Sequence, residues 1–137
     1  MNLNETICKS SDIRLHDGVS VMVCLSGTIS GQITINFSEE LVKFIYQRYT
    51  KGIPVVEIDN EVKETIFTLS KLIIGNSCAS LYGNGISMEV SSCCIVDGYN
   101  VNYISVNRNV SVIYYETSLE EMNIMLILDI DEESRRI

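Results

Sequence analysis

The chain has 137 residues, 46% of them hydrophobic and 20% charged, and a formal net charge of −8. That length supports one domain with a real core, and the composition is globular rather than disordered. The acidic balance speaks against a nucleic-acid binder, which needs clustered Lys and Arg; here only RYTK at 48–51 and RR at 135–136 cluster at all.

The N-terminal run MNLNETICKSSDIRL is polar and mixed, unlike a signal peptide. No apolar run approaches the roughly 18 residues of a membrane helix, so a cytoplasmic protein without membrane contact is expected. VSVMVCLSG (19–27) and GQITINF (31–37) are rich in β-branched residues and read as a hairpin turned between Gly27 and Gly31. Ser38 is positioned to cap a helix, with Glu39 and Glu40 facing the positive end of its dipole. Leu41, Phe44, Ile45 and Tyr49 follow at helical spacing, and Gly52 and Pro54 stop the helix.

After the connection VVEI, Asp59 or Asn60 caps a second helix that runs to about Leu81, where YGNG ends it. Four strands are then expected: ISMEVSSCCIV (86–96), YNVNYISVN (99–107), NVSVIYYET (109–117) and MNIMLILDID (122–131). Two strands, two helices and a strand meander imply an α+β fold, with two helices packed on a mostly antiparallel sheet. The domain spans residues 18–131, between an N-terminal segment 1–17 and a C-terminal tail 132–137.

Cys8, Cys24, Cys78, Cys93 and Cys94 show no CxxC spacing and are expected to be reduced, small and buried. On a strand, Cys93 and Cys94 point to opposite faces. His16 is the only histidine, so neither a catalytic Ser or Cys pairing with His nor a His-rich metal site can be built, and no cofactor is implied.

On a helical wheel at about 100° per residue, Val62, Ile66, Leu69, Ile73 and Ser80 share the arc expected to face the core. Glu64, Thr68, Lys71 and Gly75 lie almost opposite, on a stripe free to meet a partner. A helical Gly costs about 1 kcal/mol relative to Ala, so Gly75 suggests close packing against another backbone.

The hairpin with its Gly-x-x-x-Gly turn, the strand ending in Phe37-Ser38 before an acidic helix start, LIIGNS at 72–77 and ISMEVSSCCIVDG downstream resemble the CheX-type chemotaxis phosphatases, the CheC/CheX-like domains. The resemblance covers about residues 18–131. It implies the fold of the CheC-like superfamily and a CheY-like response-regulator receiver as partner. In that family a Glu on the second helix is thought to pair with a receiver lysine. An Asn three residues later orients water for attack on the aspartyl phosphate. Carried onto this chain, the Glu position falls on Thr68 and the Asn position on Lys71.

Thr68 is neutral and short, and Lys71 has three donors and no acceptor, so neither can take the family role. Ser92 stands where many relatives have proline, and the first segment leaves no room for the helix with which relatives usually begin. Glu64, one turn before Thr68, could supply a carboxylate from a shifted pose; Asn76 lies off the stripe. Lys71 could hold a phosphoryl group as a point charge. Three readings follow: a non-catalytic receiver-binding or other signalling module; an aspartyl-phosphate phosphatase with altered site residues using Glu64; and a homo-oligomer joined through sheet edges such as NVSVIYY or MNIMLILDI.

Overall fold

Val19, Val21, Val23 and Leu25 alternate with Ser20, Met22, Cys24 and Ser26, and that period of two sends the apolar set to one face of a strand. In the computed structural model, which describes residues 3–10, 12–52, 55, 57–105, 110–117 and 122–130, this strand is β3. The elements are β1 (Leu3–Ser10), β2 (Asp12–Arg14), β3 (Gly18–Gly27), β4 (Gly31–Ser38), α1 (Glu39–Tyr49), α2 (Asn60–Tyr82), β5 (Met88–Gly98), β6 (Asn102–Ile104), β7 (Val110–Thr117) and β8 (Asn123–Ile130). Six strands form one sheet in the order β1-β7-β8-β4-β3-β5, and every neighbouring pair is antiparallel. β2 and β6 form a separate two-stranded ribbon.

The two faces of the sheet are buried by different layers. Both helices lie on one face, where Val62, Ile66 and Ile74 of α2 and Val42 of α1 close over Val19, Val21, Val23, Ile35 and Phe37. On the opposite face the ribbon brings Ile13, Leu15 and Tyr103 onto Val110, Val112, Met125 and Ile127. Successive residues of β8 therefore enter different cores, Ile124 and Leu126 the helix side, Met125 and Ile127 the other. The ribbon is also pinned by polar groups: the Tyr103 hydroxyl donates to Asp129 at 2.8 Å and the Ser105 hydroxyl donates to the same oxygen at 2.7 Å. Burial and the Asp129 carboxylate push the Tyr103 phenol far above its ordinary range.

Asn36, 1% exposed, ties the entry to β3 onto β4. It accepts from the His16 backbone N–H at 2.8 Å and donates both to the His16 carbonyl at 3.1 Å and to the Ser20 hydroxyl at 2.9 Å. Asn36→Ala leaves those groups buried and unpaired, so urea unfolding is expected to show a loss of about 2–3 kcal/mol.

Several expectations change. Within the segment 1–17 set apart in the sequence, Leu3–Ser10 form β1 and Asp12–Arg14 form β2; β1 pairs along its whole length with β7. Of the strand expected over 99–107, whose last two residues lie outside the described ones, Asn102–Ile104 form β6, which pairs with the three residues of β2. β5 does not continue a meander but flanks β3, with a bulge between Cys24 and Leu25. Ser38 sits at the N-cap of α1, but its hydroxyl accepts from the Asn123 N–H at 2.9 Å instead of capping the helix. The Glu39 N–H is satisfied by the Asp17 carbonyl. The stop at Pro54 and the tail 132–137 lie outside the described residues. No helix among the described residues is long and apolar enough to cross a membrane.

Candidate functional site

α2 begins where the sequence places it: the Asp59 carboxylate accepts from the Val62 N–H at 3.0 Å, satisfying one of the helix's open donors. The fully buried positions that follow are Val62, Ile66, Ser70 and Ile74. Leu69 is only half-buried, Ile73 is 44% exposed and Ser80 is exposed. The core-facing arc is thus turned by about 50° from the one expected. Two neighbours cause the turn. α1 flanks the helix on one side and β5 on the other, so apolar residues are wanted on the flanks as well as beneath. Ser70 is tolerated underneath because its hydroxyl donates to the Ile66 carbonyl at 2.8 Å.

Glu64, Thr68, Lys71 and Gly75 are all exposed, and Thr68 lies at the crest opposite the core. They do not form one uniform row. The Lys71 ammonium leans toward β5 and lies 5.4 Å from the centroid of the Phe67 ring, a cation–π contact. Thr68 instead borders a groove between the two helices. Glu64 is the ridge, bordering both this groove and the hollow toward β5 floored by Phe67, Cys93 and Ile95.

The groove measures about 450 Å³ and is lined by Ile45, Tyr46 and Tyr49 of α1 and by Thr68, Leu69 and Leu72 of α2. Glu61 and Glu64 edge it. The Tyr46 hydroxyl donates to Glu61 at 3.3 Å, and partial desolvation followed by that carboxylate raises the phenol above its ordinary value. The groove was not foreseen. Its sequence signal was Leu72, an apolar residue of α2 outside the arc expected to face the core.

Gly75 corrects a second expectation. Among the described residues, a methyl placed there would meet no atom within 4 Å, so none of them requires the glycine by close packing. Gly75→Ala is accordingly expected to stabilise the fold by about 1 kcal/mol through helix propensity, read as a raised urea midpoint.

Cys24, Cys78, Cys93 and Cys94 are free, but none of these is fully buried, and Cys94 is exposed. Cys93 packs toward the helices while Cys94 does not, as alternation along β5 requires. β5, which carries both residues, is an edge strand of the six-stranded sheet. Among the described residues no group of three His, Cys, Asp or Glu could hold a metal ion.

A family model for the chemotaxis phosphatase CheX matches residues 19–116. No curated protein gives a match. Among solved structures, the chain is similar to a CheC-like superfamily protein from Shewanella sp. PV-4, with a TM-score of 0.83 at 17% identity, covering 96% of this chain and 85% of that one. It is similar to the chemotaxis protein CheX from Vibrio vulnificus, with a TM-score of 0.77 at 14% identity over 96% and 87% of the two chains. A third similar structure is the CheX–CheY–BeF3–Mg complex from Borrelia burgdorferi, with a TM-score of 0.71 at 20% identity over 92% and 84%. At these identities the likeness speaks to fold, and function has to be argued from the site.

Proposed function

Because the chain belongs to the chemotaxis phosphatase CheX family, we propose that it is a signalling domain that binds a CheY-like receiver through α2 without hydrolysing its aspartyl phosphate. The observation that carries this reading is the pair of exposed side chains, Thr68 and Lys71, at the positions where the family resemblance expects Glu and Asn. Aspartyl-phosphate hydrolysis is mostly positioning and charge stabilisation. Thr68 offers no carboxylate to a receiver lysine. Lys71 has no lone pair with which to aim a water, and its ammonium rests on Phe67. An exposed stripe suits docking, and a structure of a CheX–CheY complex is among those with this fold.

The second reading is a phosphatase working from Glu64, and it rests on the placement of that carboxylate on the ridge one turn before Thr68. Self-association through a sheet edge is compatible with either reading, since β5 ends the sheet and has a paired strand on one side only among the described residues.

Both readings meet in one experiment on a phosphorylated CheY-like receiver, in which binding is followed by calorimetry and phosphate release by a coupled assay. Binding without faster release is the expected result. Faster release that disappears in Glu64→Ala would establish the second reading, and absence of binding would end both.

A further inference from the structure

The groove between α1 and α2 combines two features that the receiver reading does not use. Its apolar lining ends in Tyr49 and Leu72, which are 72% and 59% exposed, so large apolar side chains are left facing water at its mouth. Its edge is acidic without compensation. Each of the four cations on the two helices is engaged away from the groove: Lys43 pairs with Glu39, Lys63 pairs with Asp97, Arg48 lies over Phe44 and Lys71 lies over Phe67. Glu61 and Glu64 therefore face the groove with no Lys or Arg among its lining residues.

We propose that this groove is a docking site for an amphipathic helix of a partner protein, one that lays a bulky apolar side chain between Tyr49 and Leu72 and sets Lys or Arg against Glu61 and Glu64. A helix is the fitting occupant for a physical reason. Both walls are helices whose backbones are already hydrogen-bonded, so an extended segment would find no edge to pair with. A helix satisfies its own backbone and offers ridges to the groove. The basic residues follow from charge complementarity, which favours encounter and fixes orientation. The site goes beyond the receiver reading and does not depend on it. Because Glu64 and Thr68 border the groove, its occupant would compete with any partner on the crest of α2.

The test uses a fluorescent synthetic amphipathic helix of Leu and Lys, its Leu residues at i, i+3, i+4 and i+7, titrated with the full chain at low ionic strength and followed by anisotropy. Saturable binding is expected. Leu72→Glu should weaken it by about tenfold or more, and Glu61→Gln with Glu64→Gln by about fivefold. Ile104→Glu, at a 74% exposed site on β6 far from the groove in the fold, should leave it unchanged. Circular dichroism melts verify that each variant is folded. The proposal is overturned by absence of saturable binding, by equal binding to Leu72→Glu, or by equal binding of a peptide with Glu in place of Lys. It is also overturned if sedimentation shows a wild-type dimer that Leu72→Glu dissociates, which would make a second copy the occupant. Receiver binding, measured separately, can fail without affecting any of these outcomes.

Discussion

The double substitution Thr68→Glu, Lys71→Asn is expected to make the protein accelerate dephosphorylation of a CheY-like receiver by on the order of a hundredfold, where the wild type does not. The family resemblance supplies the chemistry. A carboxylate at position 68 would meet the receiver lysine, and a carboxamide at 71 could accept from the attacking water while donating to developing charge. The structure makes the experiment clean. Both residues are exposed, and neither contributes to the core. The local costs are the lost cation–π contact between Lys71 and Phe67 and repulsion between the new carboxylate and Glu64 four residues away, each on the order of 0.5 kcal/mol. An inactive wild type with an active double variant would show that α2 still docks in the family's manner and lacks only the reacting groups. An active wild type would remove Thr68 and Lys71 from consideration as a defect and move the chemistry to Glu64. If the folded double variant is inert and binds no receiver, the docking reading fails.

Ile66→Ala should cost about 3 kcal/mol, within the range for truncating a fully buried aliphatic side chain. Ile66 is 0% exposed and lies among β3 and α1 residues at the centre of the helix-side core, so its loss leaves a cavity beneath the middle of α2. Ile73→Ala, at a 44% exposed position, should cost less than about 1 kcal/mol. The two variants thus read the rotation of α2 directly in urea denaturation. Equal costs would mean that the helix presents the arc expected from the wheel, and Thr68 would no longer stand at the crest. The contrast matters for function because Ile66 and Ile74 set the direction in which Glu64, Thr68 and Lys71 point.

Much of the site was legible from local signals. Asp59 was one of two candidate caps for α2, and its carboxylate does accept from Val62. Glu64, Thr68, Lys71 and Gly75 were read as an outward stripe, and all four are exposed. What failed was the finer rotation. The wheel assumes one buried face, whereas α2 packs downward on the sheet and sideways on α1 and β5. Leu69 was therefore drawn into a groove, Ile73 was left partly in water and Ser70 went underneath, with its hydroxyl turned back on its own helix. Gly75 misled in the other direction. Its helical cost implied a neighbour, and among the described residues there is none within 4 Å.

By itself the sequence determined the hairpin around Gly27 and Gly31, the two helices with their starts, the strand-rich second half and the α+β class. These follow from period, turn residues and caps, all of which act within a few residues. Tertiary structure decided the rest. It made a strand of the polar segment from Leu3 to Ser10, because backbone pairing with β7 does not depend on an apolar pattern. It paired β6 with the three residues of β2, and it placed β5 beside β3 rather than in a meander. It also diverted the Ser38 hydroxyl to Asn123, eighty-five residues away. Each outcome depends on which distant segment supplies the hydrogen-bond partner or the covering surface, and no local periodicity encodes that choice.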